Sequence, residues 1–234
     1  MAFVQAPLIG SPNVIRLFIQ RGANVNVADE CGFTALHHAS GENLEVVKTL
    51  VEAGANINAR AGQINARKER TRTPLSRAAR CNKVDIIQYL LSRGTTLNIL
   101  LEEWTPLHQA VRYNHVPATE ALLNAGAPIN AQDEDGQSPL YQACCLGDYN
   151  IEVTKLLLKK KPNIDLPNKW GKTPLLIACS NRSLKTVQLL IENGASLHLP
   201  DKDGETPLSC MRKSPEVFKE ILSKMNAETN CNIL

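Results

Sequence analysis

Apolar positions along the chain fall into two alternating patterns. The longer pattern carries branched residues on one helical face, as in Val46, Val47, Leu50 and Val51, or Ile86, Ile87, Leu90 and Leu91. This three-and-four spacing predicts an amphipathic helix. Gly54, Gly94, Gly126 and Gly194 stop these helices, because a left-handed terminal residue is least costly as glycine. The shorter pattern opens at Thr34, Thr73, Thr105, Ser138, Thr173 and Thr206, and Pro follows at 74, 106, 139, 174 and 207. A hydroxyl there caps free backbone N–H groups, and Pro at the first helical position gives up a donor that would go unused. Small residues such as Ala78 and Ala79 come next and let neighbouring first helices approach closely. The unit is therefore a short helix, a turn, a longer helix and an extended finger.

The six openings are spaced by 39, 32, 33, 35 and 33 residues. A period near 33 marks a stacked-repeat architecture rather than one compact core. Residues 105–137 are the clearest copy. Residues 1–28 match only the second helix and finger of a unit, with Val14, Ile15, Leu17, Phe18 and Ile19 at helical spacing and Gly22 after them; the first helix is expected to be missing or reduced to a turn at Ala6, Pro7 and Leu8. This truncated opening reads either as a cap or as the interior of a longer array. Residues 29–222 form the array of about six units, and 223–234 a short tail. Two length changes interrupt it. The finger at 59–72 is about seven residues longer than its neighbours and holds Arg60, Arg67, Lys68, Arg70 and Arg72 against Glu69. Asp148, Tyr149 and Asn150 lengthen one inter-helix loop on the side opposite the fingers, where an insertion is expected to be tolerated.

Through Thr105, Pro106, Leu107, His108 and Ala110, the chain resembles the ankyrin-repeat family, whose units carry a T-P-L-H-x-A pattern. The resemblance covers about residues 11–222 and implies an all-α solenoid of stacked helix-turn-helix units with β-hairpin-like fingers. Ser76, Tyr141 and Leu176 depart from the histidine, and Asn82, Asn114 and Arg182 stand where the family usually has glycine. Asn tolerates the left-handed region better than Arg does, so the Arg182 turn is expected to be altered.

Composition narrows the function. The net charge of +3 is too mild to argue for nucleic acid or membrane by itself. The N-terminus has no basic lead before an apolar stretch, so it is not expected to act as a signal peptide. Seven cysteines without paired spacing point to reduced thiols and an intracellular, cytoplasmic setting, with nuclear entry compatible with the basic finger. No phosphate loop, zinc-ligand spacing or nucleophile-base set appears, so the expectation is a non-catalytic protein with no metal and no cofactor. His37 and His108 read as structural residues bonded to the adjoining loop, and Cys144 and Cys179, at one register in neighbouring units, as small buried residues.

The resemblance implies that a protein partner is gripped by finger tips and by positions late in the first helix. Those are Arg70, Arg72 and Arg80; Leu101, Glu102, Trp104, Arg112 and Tyr113; Glu134, Asp135, Gln137 and Leu146; and Lys169, Trp170, Lys172 and Asn181. Trp104, Arg112, Tyr113 and Trp170 are the expected anchors, since aromatic and Arg residues dominate binding energy. Trp104 has a competing reading as packing between fingers. The basic finger favours a partner with an acidic segment. The lack of interleaved aromatics there disfavours nucleic acid, and nothing implies a small-molecule substrate. The final Cys231, Asn232, Ile233 and Leu234 resemble a prenylation box and carry an alternative, a membrane-recruited adaptor lipidated at Cys231. A further alternative is a substrate adaptor of a ubiquitin ligase or another larger assembly, with this chain a fragment of it.

Overall fold

A computed structural model describes residues 2–61, 73–97 and 104–223. The chain forms two compact units, Met1–Pro128 and Ile129–Leu234. The first unit contains α1 (Ala2–Gln5), a 3-10 turn (Ala6–Ile9), α2 (Pro12–Gln20), α3 (Ala35–Ala39), α4 (Leu44–Glu52), α5 (Pro74–Arg80), α6 (Val84–Ser92), α7 (Pro106–Arg112) and α8 (Val116–Asn124). The second contains α9 (Pro139–Cys145), a 3-10 turn (Gly147–Asn150), α10 (Ile151–Lys159), α11 (Pro174–Ser180), α12 (Leu184–Glu192) and α13 (Pro207–Lys213).

The first helices of the pairs are short and capped as their sequence predicts. Thr73 Oγ1 accepts from Ser76 N at 3.1 Å, Ser138 Oγ from Tyr141 N at 3.1 Å and Thr173 Oγ1 from Leu176 N at 3.2 Å. His108 closes its cap reciprocally. Its Nδ1 accepts from Thr105 N at 3.3 Å, while Thr105 Oγ1 accepts from His108 N at 3.3 Å. The side chain of His37 accepts from Thr34 N in the same way at 3.1 Å. Both imidazoles are buried, so these histidines serve the helix ends.

Burial follows the two apolar patterns. In the first unit α3 packs on α5 and α5 on α7, through Leu36, Leu75, Ala78, Leu107 and Ala110, all fully buried. The branched faces of the second helices supply Val46, Val47, Leu50, Ile86, Ile87, Leu90 and Leu122 to the same core. In the second unit α11 lies between α9 and α13, with Leu140, Leu175, Leu176, Val187, Leu190, Met211 and Phe218 buried. Neighbouring repeats are also tied by polar bonds. Asn26 Oδ1 accepts from Asn56 N at 2.7 Å and Asn58 Oδ1 from Thr96 N at 3.0 Å. In the second unit Asn130 Oδ1 accepts from Asn163 N at 2.8 Å and Asp165 Oδ1 from Ser196 N at 2.9 Å. Each bond satisfies a backbone donor at the foot of the next finger.

Two expectations gain detail and two are revised. First, a 3-10 turn lies where the reduced opening is expected, at Ala6, Pro7 and Leu8, and the four-residue α1 stands before it. Residues 2–9 form α1 and a 3-10 turn that pack on α3, and Phe3 meets Phe18 edge to face at 5.8 Å; the signal was hidden because only four residues precede Pro7 in α1. Second, the fingers are hairpin-like in their turns, with Asp133 N donating to Gln137 O at 3.1 Å and Asn168 N to Lys172 O at 3.0 Å, and strand pairing is slight: among the described residues the single β-bridge outside helices joins Ala28 and Thr34. Third, the Arg182 turn is not altered. Arg182 has φ +57°, beside +54° for Asn82 and +56° for Asn114, and its backbone bonds, Arg182 N to Cys179 O and Ser183 N to Ala178 O, repeat those of Asn114 and His115. The fixed length between packed helices forces the left-handed residue whatever the side chain. Fourth, the longer loop has a structural task. Asp148 Oδ1 accepts from Thr186 N and Thr186 Oγ1, each at 2.9 Å, and Oδ2 from Lys185 N at 3.4 Å. Ser183, which precedes α12, makes no side-chain cap bond of its own. An insertion in one repeat thus caps the second helix of the next.

Two stability changes follow. Asp148→Ala is expected to lower unfolding free energy by about 1 kcal/mol, measured by urea denaturation. Arg182→Asn is expected to raise it by about 0.5–1 kcal/mol through relief of the left-handed cost; an unchanged midpoint would mean that the Arg side chain makes a compensating contact.

Candidate protein-binding surface

Among the described residues four fingers carry one turn, built by an acid or amide three residues before glycine: Asp29 to Gly32, Asp133 to Gly136, Asn168 to Gly171 and Asp201 to Gly204. The first side chain curls back and its Oδ1 accepts two backbone N–H groups, two and four residues on. For Asp133 these are Asp135 N and Gln137 N, both at 2.9 Å. For Asn168 they are Trp170 N at 3.0 Å and Lys172 N at 2.9 Å. For Asp201 they are Asp203 N at 3.0 Å and Glu205 N at 2.9 Å. Asp133, Asn168 and Asp201 are buried. These residues fix the finger tips, and the spacing Asp or Asn, two residues, then Gly would have disclosed them in the sequence.

The tips of the second unit are joined edge to edge. Lys169 N donates to Asp135 O and Lys202 N to Trp170 O, each at 3.0 Å. Gly171 shows why the approach needs glycine: it has φ +80°, and a Cβ there would stand 3.0 Å from Asp201 Cα and Lys202 N. Trp170 is therefore held through both its N–H and its carbonyl while its indole stays half exposed, at 50%. Glu134 and Lys169 are exposed beside it, and Asp135 and Gln137 are partly buried. Lys172 is turned toward the finger, with Nζ 3.9 Å from the buried carboxylate of Asp201. Asn168 Nδ2 donates to Tyr141 Oη at 3.1 Å, and burial pushes the Tyr141 phenol well up from its ordinary range. That bond links the tip to the first helix α9. Asn181 Nδ2 donates to Cys145 O at 3.1 Å, joining α11 to α9, and Leu146 is partly buried.

In the first unit the predicted residues at the ends of α5 and α7 meet. The Arg80 guanidinium lies over the Tyr113 ring, 5.3 Å from its centroid. Tyr113 stacks on His115 with centroids 6.1 Å apart and planes at 19°, and His115 Nε2 is 2.8 Å from Arg80 O. Tyr113 remains 44% exposed, and Arg112 is exposed next to it. His115 was missed because no motif marks it; only the fold returns it to Arg80. Trp104 is partly buried with its ring 6.2 Å from that of His108, which favours its packing role over that of an exposed anchor. Arg70, Arg72, Leu101, Glu102 and Cys231 lie outside the described residues. Among the described residues no helix is long and apolar enough to cross a membrane.

The thiols divide by environment. Cys144 and Cys179 are buried; burial pushes Cys144 well above its ordinary range and Cys179 up to about 12. The thiolate is the reactive form. Cys31, which is exposed on a finger, is expected to react with a disulfide reagent in the native protein, and Cys144 and Cys179 only after denaturation, as read by mass spectrometry of labelled peptides.

The geometry can be set beside known proteins. A family model described as ankyrin repeats (3 copies) matches residues 2–61, 60–133, 94–168, 118–201 and 148–233 in overlapping placements. Over 172 residues the chain is 41% identical to ankyrin repeat and SOCS box protein 3 of Bos taurus, a match covering 72% of this chain and 32% of that protein. It is 32% identical over 172 residues to neurogenic locus notch homolog protein 1 of Homo sapiens, covering 72% of this chain and 6% of the relative. The ankyrin repeat domain of human ASB11 superposes with a TM-score of 0.78 at 25% identity, covering 90% of this chain and 91% of that domain. The chain therefore spans about a third of the bovine relative's length and much less of the human one.

Proposed function

This chain belongs to the ankyrin-repeat family, and on that premise we propose that it is a non-catalytic scaffold that captures a protein partner through its finger tips and the ends of its first helices. The observation that carries this reading is the state of Tyr113 and Trp170. Neither is required by the repeat frame, and both stand about half exposed on backbone that neighbouring residues hold. A large side chain presented on fixed backbone loses little further freedom on binding, which is how a binding hot spot contributes most. Glu134, Asp135, Gln137 and Lys169 around Trp170, and Arg80 and Arg112 around Tyr113, supply polar and charged rims.

A second reading is a substrate adaptor of a ubiquitin ligase or another larger assembly. What favours it is that the bovine relative pairs ankyrin repeats with a SOCS box by name, and that the array accounts for about a third of that protein's length. In that setting the same surface would select the substrate, and sequence beyond the array would dock the assembly.

The test is affinity capture from cell extract with the intact chain and with a Tyr113→Ala/Trp170→Ala variant, followed by mass spectrometry. Partners retained by the intact chain are expected to fall by about tenfold or more with the double variant, in the range of hot-spot losses. Equal recovery by both proteins would remove these two residues as anchors. Recovery of ubiquitin-ligase subunits that persists in the double variant would favour the adaptor reading, because their docking would then be separate from the substrate surface.

A further inference from the structure

Arg77 stands on α5 four residues after its capping Thr73, and its side chain crosses to the preceding repeat. A Cβ added to Gly41 would stand 3.0 Å from Arg77 Nε and 3.5 Å from Arg77 Cγ, so the arginine lies down over Gly41, which is buried. Seven residues after the capping hydroxyl, where this repeat has Gly41, the other openings are followed by Arg80, Arg112, Cys145, Ser180 and Lys213. Gly41 is not in the left-handed region, so its backbone does not call for glycine. What the missing side chain supplies is room for Arg77.

The head placed there is unsatisfied. Arg77 Nε is buried and meets no hydrogen-bond acceptor, and among the described residues no ion pair joins Arg77 to an acid. Glu42, which follows Gly41, is exposed and does not pair with it. His38, at the same register in the preceding repeat, is already faced by Asp29, with Nε2 3.5 Å from Oδ2. A buried donor without an acceptor costs stability, and an apolar chain of similar length would pack over Gly41 without that cost. Arg77 as a whole is partly buried: its inner nitrogen is enclosed while the planar end beyond it meets solvent.

We infer that Arg77 is the seat of one carboxylate of a protein partner, an Asp or Glu side chain received by a guanidinium that Gly41 positions. The inference rests on the reading of the chain as a protein-binding module and specifies the chemistry of what it binds. A guanidinium offers parallel N–H groups in one plane, which the two oxygens of a carboxylate match. A head laid down before the partner arrives loses less freedom on binding, and its partial removal from water strengthens the pair. A single seat sets no spacing between acids; it requires one acid at a fixed place in the bound segment.

The experiment runs parallel selections from a displayed library of random twelve-residue peptides, on the intact chain and on Arg77→Glu, then measures synthetic peptides by fluorescence anisotropy. Peptides selected on the intact chain are expected to share one acidic position, and those selected on Arg77→Glu to carry Lys or Arg there. A peptide from the first selection is expected to bind about tenfold more weakly to Arg77→Met. Changing its shared acid to the amide is expected to cost as much with the parent and nothing further with Arg77→Met, the signature of a direct pair. Gly41→Ala keeps the charge but displaces the head, and is expected to weaken binding several-fold. Circular dichroism on heating is expected to show Arg77→Met at least as stable as the parent, since the stem still packs and the buried donor is gone; if it does not fold, Arg77→Lys replaces it and is expected to bind several-fold more weakly for want of the planar head. Selected peptides without a shared acid, equal binding by Arg77→Met, or losses that add in the double change would overturn the seat while leaving the binding-module reading intact. Unchanged binding by Gly41→Ala would overturn the part given to Gly41. Tighter binding of a peptide with phosphoserine at the shared position would overturn the carboxylate. A library that yields no binder on the intact chain would instead count against the module itself.

Discussion

A helix of seven residues cannot hold itself together in water, because the first turn fixes several dihedral angles for a single hydrogen bond. The first helices here are of that length, α5, α7, α9, α11 and α13 each running seven residues, and each survives only because neighbours cover it. The rest of the structure follows from that dependence. Buried helix starts must satisfy their N–H groups internally, hence the Thr and Ser caps. Close approach of one first helix to the next requires Ala78, Ala110, Ala143 and Ala178 to be small, and all four are fully buried. The Asn and Asp bridges between finger bases add a polar tie that keeps register, as Asn58 does for Thr96 and Asn130 for Asn163.

The same dependence makes the exposed surface informative. In a repeat every frame position has a neighbour to match, so residues that depart from the frame and remain exposed are free to vary with the partner. Trp170 and Tyr113 are of this kind. Trp170 sits on a tip whose backbone is held by Asn168 and Lys202, and Tyr113 is packed between Arg80 and His115. Lys172 is the contrasting case: although on a finger, its ammonium faces the buried Asp201 carboxylate, which supports the turn. The loop around Asp148 is another. Its length reads as an unconstrained insertion, yet its carboxylate completes a helix in the following repeat.

Most of the frame was legible from residue type and spacing. The capping hydroxyls, the branched stripe and the stopping glycines are local, and each signals its element within a few residues. What was not legible was long-range or masked by short length. α1 has only four residues and no cap to announce it. Arg182 adopts the left-handed turn because two packed helices fix the distance it spans, a constraint that no propensity of Arg records. Of the candidate binding residues, the sequence located the tips and helix ends but could not grade them. Trp104 and Trp170 look equivalent along the chain, and only packing shows one partly buried beside His108 and the other half exposed.

By itself the sequence determined the repeating helix pairs, their caps and stops, and the apolar positions of the core, because these depend on contacts within one repeat or on a pattern shared by all of them. Tertiary structure alone decided which exposed groups are held and which are merely solvated. Arg80, Tyr113 and His115 become one stack, Asp148 becomes a cap for α12, and Asp135, Lys169, Trp170 and Lys202 become one line of joined tips. The physical reason is separation along the chain. Apart from the local Tyr113–His115 stack, each of these contacts joins residues about one repeat apart, so its geometry comes from how one repeat packs on the next, and nothing in either local sequence contains that angle or distance.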